Sequence, residues 1–423
     1  MRSLFSSPEK RITSLFLLFY IFLFIYSPRL VSFNTSHILF IIGLLYLIFN
    51  YKKCVDVYVK TKLIVFINVL LFIKLFSVLM AGAYGLEKDF YGVYQLCIEL
   101  PVCVVFVISL MKQSEYKSED LVTLIIIVGI IQSIIGVLML ISPSFKEIID
   151  THRHQFWNDK LIGLSTWRMY GLSDNLLHVT PIVQAVIAML IIIRASEKLV
   201  YLCVFPLFII FCAINTRTSV VLMFLIVVLH FLFNHEASKK IVVLGFILLF
   251  VLIGGVSVLI FIETKSAEGF EYLVTGYNAV MNTIIGESDN STKFSNGYNS
   301  IPSDILVFIF GAGQGVQGGL KFGGDIISGD MGYVNDIWRY GIFLSLLLWW
   351  VIFKRIKLIK KSSLYCAKFV AISMLVAFMI SHFKGNTTYY CDYMVLLLLI
   401  SSSYYLDIKE PKWRKKDALK SQK

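Results

Sequence analysis

Few residues in this chain can do polar chemistry, and three groups of them stand at the ends of apolar runs. The first is Gly311-Ala312-Gly313-Gln314-Gly315, followed by Ser328-Gly329-Asp330-Met331-Gly332-Tyr333 and Trp338-Arg339-Tyr340-Gly341. It sets a glycine-rich loop, a carboxylate and a cation at the mouth of an apolar helix. Asp330 there serves either as a helix N-cap or as a general base that takes a proton from a hydroxyl. The second group is Asn215-Thr216-Arg217-Thr218, a tight polar turn between two apolar runs. An arginine and two hydroxyls at the start of a helix meet unpaired N–H groups and the positive dipole end. That combination holds an anion, and the flat guanidinium suits a diphosphate. The bland reading of Arg217 is an anchor reaching the headgroups. The third group is Arg168 before Met169-Tyr170-Gly171 and Asp174-Asn175, with His152, Arg153 and His154 upstream.

Other charges have plainer readings. Asp336 and Arg339, three apart on one helical face, predict an internal ion pair. Glu99, beside Pro101, and Lys74 are lone charges in apolar runs, and the cost of leaving them single predicts that they pair. His382 and Lys384 close a late apolar run and are able to line the same cavity as the first group. The glycine run lacks the Gly-Lys-Ser/Thr ending of a nucleotide P-loop, so its glycines are expected to let the backbone approach a ligand or let the loop move.

The elements that must position these residues are apolar. Of 423 residues, 57% are hydrophobic and 16% charged, with 34 Phe and 22 Tyr, a composition that predicts a polytopic membrane protein. Twelve runs qualify as spans: 12–27, 36–50, 63–83, 90–111, 121–142, 176–193, 199–214, 218–234, 241–262, 334–353, 365–383 and 391–406. Solid apolar runs rather than alternating ones predict helices, hence an all-α fold. The first run follows Arg2, Lys10 and Arg11 but lacks a small-x-small cleavage site, which marks it as a retained span. The seven cysteines show neither C-x-x-C nor Cys/His spacing and read as packing residues, so no metal site is expected.

With the N-terminus inside, cytoplasmic segments hold 25 of the 39 Lys and Arg and external ones 11. Both termini are then expected in the cytoplasm, with the basic tail 407–423. The net charge of +12 is mostly an orientation signal spread along one membrane face, which argues against nucleic acid as a partner. Two long loops, 143–175 and 263–333, fall outside, and the second carries 13 of the chain's 26 glycines. Within it, Phe270, Leu273, Val274, Tyr277, Met281 and Ile284 keep helical spacing and predict an amphipathic surface helix. Residues 305–310 are too short to span and are expected to dip in and return. The whole chain reads as one integral membrane domain without internal repeats.

Three pieces come in order: Arg168-x-x-Gly171 before a span, Arg217 in an outer turn, and Gly-x-Gly…Asp330-x-Gly-Tyr333…Gly341. With about twelve spans and a large late external loop, this arrangement resembles the O-antigen polymerases, relatives of the O-antigen ligases. The resemblance covers the layout of the whole chain, although its motifs are short. It implies a membrane glycosyltransferase (GT-C-like) fold in a bacterial inner membrane. The implied reaction transfers a growing glycan from undecaprenyl diphosphate to the non-reducing end of an incoming lipid-linked repeat on the periplasmic face. Donor and acceptor lipids are the implied partners, with membrane lipid and a separate chain-length regulator.

In the related ligases an outer-turn arginine grips the diphosphate, which carries to Arg217. Their second, loop arginine has no counterpart between 218 and 338, and Lys293 stands nearest. Their histidine aligns with Asp330, and a carboxylate there favours polymerase over ligase. On this reading Asp330 and Arg217 are catalytic, and Arg168, Lys293, Arg339, Tyr333, Gly313 and His382 bind substrate. No cofactor is needed, because the donor carries its own diphosphate leaving group. Catalysis reduces to stabilising that charge and activating a hydroxyl, and with no aspartate cluster for a metal the cations are Arg and Lys. The alternatives are the ligase itself, which uses a lipid A core acceptor, and a flippase or other transporter. A transporter places its polar residues near the bilayer midplane, whereas here they gather at the outer ends of the spans.

Overall fold

A computed structural model of the chain describes residues 7–30, 33–154, 169–173, 179–195, 199–233, 300–316, 319–323, 325–327, 329, 331–362, 367–385, 387–388 and 391–409. Helices dominate the described residues. In chain order they are α1 (Pro8–Tyr26), α2 (Thr35–Phe49), α3 (Tyr51–Lys60), α4 (Leu63–Ala83), α5 (Phe90–Tyr94), α6 (Leu100–Gln113), α7 (Ser118–Ile141) and α8 (Pro143–His154). There follow α9 (Val179–Ala195), α10 (Phe205–Asn215), α11 (Arg217–Phe233), α12 (Ile305–Phe310), α13 (Gly332–Lys360), α14 (Ala367–Lys384) and α15 (Asp392–Lys409). Two short antiparallel hairpins complete the picture, Arg29–Leu30 with Phe33–Asn34 (β1, β2) and Leu320–Phe322 with Asp325–Ile327 (β3, β4). Each apolar run that falls on described residues is helical; the run 241–262 and the surface helix expected over 270–284 lie outside them.

The sequence explains where the helices sit. α9 and the first half of α15 are apolar all round, and almost every residue in them is buried, so they form the centre of the bundle. The helices around them bury one face and expose the other: Phe72, Leu79, Phe224, Phe343 and Trp350 are each more than half exposed. An apolar outer surface of that kind belongs in lipid. Four helices or continuous helical stretches are long and apolar enough to cross a membrane: Leu63–Ala83, Phe90–Gln113, Ser118–Ile141 and Ala367–Lys384. A fifth counts if the pair α2 and α3, bent by 107° at Asn50, is taken as one broken span. The described residues are thus mostly helical, with four or five helices that could span a membrane.

Helix ends follow local chemistry. Ser7 caps α1 by accepting from the Lys10 N–H at 3.3 Å, and Pro8 occupies the first turn, where its missing N–H costs nothing. α5 passes through one π turn, Gln95–Glu99, into α6. Pro101 has no N–H to give, and Leu100 donates back to Gln95 O across five residues.

The run 334–353, expected as one span, is broken. Gly341 inside α13 has φ 71° and ψ 169°, which is not helical. The short α12 packs into the break, and a Cβ at Gly341 would collide with the Ile309 carbonyl. The carbonyl of Trp338, freed by the break, accepts from Ala312 N–H at 2.6 Å. The half-helix expected to dip and return is therefore wedged against α13.

Candidate functional site

Among the described residues, several of the polar ones singled out above lie at one end of the bundle, where α11 and α13 begin and α14 ends. The turn before α11 is the junction. Asn215 is fully buried and grips the backbone of Met169: Met169 N–H donates to Asn215 Oδ1 at 2.9 Å, and Asn215 Nδ2 donates to Met169 O at 3.0 Å. Arg168 lies outside the described residues, but its covalent neighbour is thus fixed to the segment that carries Arg217. Gln132 of α7 holds the same segment further on, donating to Tyr170 O at 2.7 Å and accepting from Leu172 N–H at 3.1 Å. Thr216 then caps α11, its Oγ1 accepting from Ser219 N–H at 3.2 Å. Arg217 is the first residue of α11, as the turn predicts; its side chain lies outside what is described.

From the other side α14 delivers a cation to this turn. Lys384 Nζ donates to Thr218 Oγ1 at 2.9 Å. An ammonium thus sits at the N-terminal end of a helix more than four turns long, in the turn that carries Arg217, an arrangement suited to an anion.

Two residues before Lys384, His382 is fully buried against α13. Its Nε2 lies 3.0 Å from Asp336 Oδ2, and its Nδ1 lies 3.2 Å from Thr387 Oγ1. Asp336, also fully buried, accepts from Trp349 Nε1 and Thr388 Oγ1, both at 2.8 Å. This corrects the expected Asp336–Arg339 ion pair. Asp336 meets His382 of α14, the Trp349 indole of its own helix and the Thr388 hydroxyl beyond α14, which satisfy both its oxygens. Tyr333 stands edge-on to the His382 ring with centroids 4.3 Å apart, and Phe378 stacks on that ring at 5.2 Å. Gly332 touches the same place: a Cβ there would run into the carbonyls of His382 and Gly385.

Asp330 itself lies outside the described residues, as does Lys293. The residues on either side of Asp330 are nevertheless fixed, because Asn335 Nδ2 donates to Gly329 O and to Met331 O, each at 2.9 Å. The glycine loop stands directly behind. Gly315 abuts Asn335 Oδ1 and the Arg339 guanidinium. Gly313, at φ 84°, presses on the backbone of Ser77 and Ala81 in α4, and Ser77 Oγ donates to its carbonyl at 2.9 Å. These glycines bring the loop backbone close against α4 and α13. Gln314 Nε2 adds a bond to Glu87 O at 2.6 Å.

The other expected pair also divides. Glu99 Oε2 meets His37 Nδ1 at 3.2 Å, while the Lys74 ammonium sits 5.3 Å from the centre of the Tyr340 ring. His37 comes from the start of α2, a partner far along the chain that spacing around Glu99 does not reveal. His152, Arg153 and His154 end α8, and their side chains are outside the described residues.

Sequence reasoning named Asn215 only as part of its turn and missed Asn335, Gln132 and Thr388; these four do the fastening. The available signal was a lone amide or hydroxyl in an otherwise apolar run, since such a group must find a bond once buried. Compared with protein-family models, curated proteins and solved structures, the chain matches none.

Proposed function

We propose that the chain is a metal-independent O-antigen polymerase, or a polymerase of a similar surface polysaccharide. On this reading it is a glycosyltransferase with about twelve spans and a GT-C-like fold. It acts on the periplasmic face of a bacterial inner membrane and keeps both termini in the cytoplasm. Arg217 binds the undecaprenyl diphosphate of the donor, assisted by Arg168 and Lys293, and stabilises the charge left on the departing lipid diphosphate. Asp330 takes the proton from the acceptor sugar hydroxyl as that oxygen attacks the anomeric carbon. Tyr333, Arg339, Gly313 and His382 complete the substrate site.

The observation that carries this reading is the role of the Asn215–Thr218 turn as a junction. Asn215 holds the neighbour of Arg168. Thr218 receives Lys384, two residues from the His382 on which Gly332 and Tyr333 pack. Residues adjoining motif pieces far apart in the chain are thereby joined around one helix N-terminus.

The test is a deletion strain examined for lipopolysaccharide laddering, complemented with variants. Core carrying a single repeat is the expected result, and bare core with lipid-linked polymer points to ligase instead. Asp330→Asn is expected to cut polymer formation about 10²- to 10⁴-fold with normal protein levels, because a positioned base contributes that much. Asn caps a helix about as well as Asp, so an active Asp330→Asn protein returns the residue to the capping role.

A further inference from the structure

At the far end of α13 from the candidate site, a cavity of about 410 Å³ opens between α4 and α13. Lys62, Lys354, Arg355, Lys357 and Lys361 line it, and no carboxylate does so among the described residues. Four of these cations are exposed lysines of the kind that anchor any basic membrane face. Arg355 is different, being only 2% exposed. Its Nε donates to Ser401 Oγ at 2.8 Å, one terminal nitrogen to Thr61 O at 2.5 Å, and the other to Ser402 Oγ. Its flat face lies 5.9 Å from the centre of the Phe66 ring. Every one of these partners is neutral. A guanidinium carries five N–H donors, so two remain beyond the three bonds, on a buried positive charge with no counter-ion among the described residues. Burying such a charge is costly until an anion approaches it.

The rest of the cavity narrows the choice of anion. Away from the lysines its wall is apolar, formed by Val65, Phe66 and Val69 along α4. Trp350 stands at the edge, 54% exposed, with Lys354 Nζ 4.9 Å from the centre of its ring. A tryptophan beside a lysine marks headgroup depth. A free phosphate would use the cations and leave the apolar wall idle, whereas a lipid uses both.

We propose that this groove binds an anionic phospholipid from the leaflet beside Lys62 and Lys361, which the charge pattern makes the inner one. Arg355 and the four lysines hold its phosphate, and an acyl chain lies along Val65, Phe66 and Val69. The site is independent of the glycosyl-transfer reading, since it stands at the opposite end of the bundle.

The full-length protein in phosphatidylcholine nanodiscs provides the test. A minority of phosphatidylglycerol with brominated acyl chains is added, and quenching of Trp350 is read as the difference between wild type and Trp350→Phe. Brominated phosphatidylglycerol is expected to quench Trp350 more than the same share of brominated phosphatidylcholine. Replacing the exposed Lys62, Lys357 and Lys361 by Gln, which leaves Arg355 and its bonds in place, is expected to lower that preference about fivefold per lysine. Equal quenching by the two lipids overturns the proposal, as does a preference unchanged in the triple variant. Loss of the preference on adding inorganic phosphate at constant ionic strength also overturns it and assigns the groove to a free anion.

Discussion

At the scale of single residues, the buried polar groups of this protein matter because each has so few alternatives. Asp336 is fastened by His382, Trp349 and Thr388 together. Removing the carboxylate strands three donors around a fully buried position, so Asp336→Ala is expected to destabilise the fold by about 3–5 kcal/mol. Denaturation of the purified protein in detergent measures this. Asn215→Ala is a milder lesion with a sharper functional meaning. It removes both bonds to Met169 and leaves a buried N–H and carbonyl unsatisfied, at about 1–3 kcal/mol. If the turn positions Arg168 and Arg217, polymer is expected to fall further than the small loss of protein explains. Arg217→Lys keeps the charge but loses the planar two-point grip and is expected to remain impaired. A normally active Arg217→Ala protein, made at wild-type levels, would return that residue to the class of membrane anchors.

At the scale of elements, the decisive feature is the wedge of α12 and the glycine loop into the break of α13. Gly341 and Gly313 hold positive φ where backbone from another segment already fills the place of a side chain. Gly341→Ala and Gly313→Ala are therefore expected to cost more than the roughly 1–2 kcal/mol of the backbone conformation alone. Gly323 also has positive φ but open space around it, so Gly323→Ala supplies the conformational cost by itself. Thermal denaturation is expected to show a larger loss in the Gly341→Ala and Gly313→Ala proteins than in Gly323→Ala, with Gly341 adding a backbone region open essentially to glycine alone. A wedge that moves freely in the folded protein would make Gly313→Ala and Gly323→Ala equal.

At the scale of the whole molecule, the polar end that holds Arg217 and Lys384 and the basic end that holds Arg355 and Lys361 are opposite poles of the bundle. A reporter fused after Lys361 is expected in the cytoplasm and one fused after Ser295 in the periplasm, following the excess of basic residues on one face. The reverse result would move the candidate site to the cytoplasmic face and remove its access to periplasmic glycan. It would also reassign the leaflet of the lipid groove without altering its lining.

The sequence by itself determined the membrane class and the position of nearly every described long helix. Both follow from local quantities: the run of apolar residues needed to cross hydrocarbon, and the demand that each backbone group be satisfied within its own segment. It also placed Arg217 at the start of a helix, from the polar turn between two apolar runs, while the Thr216 cap of that helix emerged from the structure. Pairing was another matter. Glu99 found His37 and Asp336 found His382, 62 and 46 positions away, partners chosen by how helices pack. The break at Gly341 likewise depends on Ile309 and Phe310 arriving from a different segment. The cation groove joins α4 to a helix nearly three hundred residues later, with Arg355 bonded to the carbonyl of Thr61. Such contacts depend on the tertiary arrangement alone, since a side chain's own spacing reports which face of its helix it occupies and says nothing of which helix lies opposite.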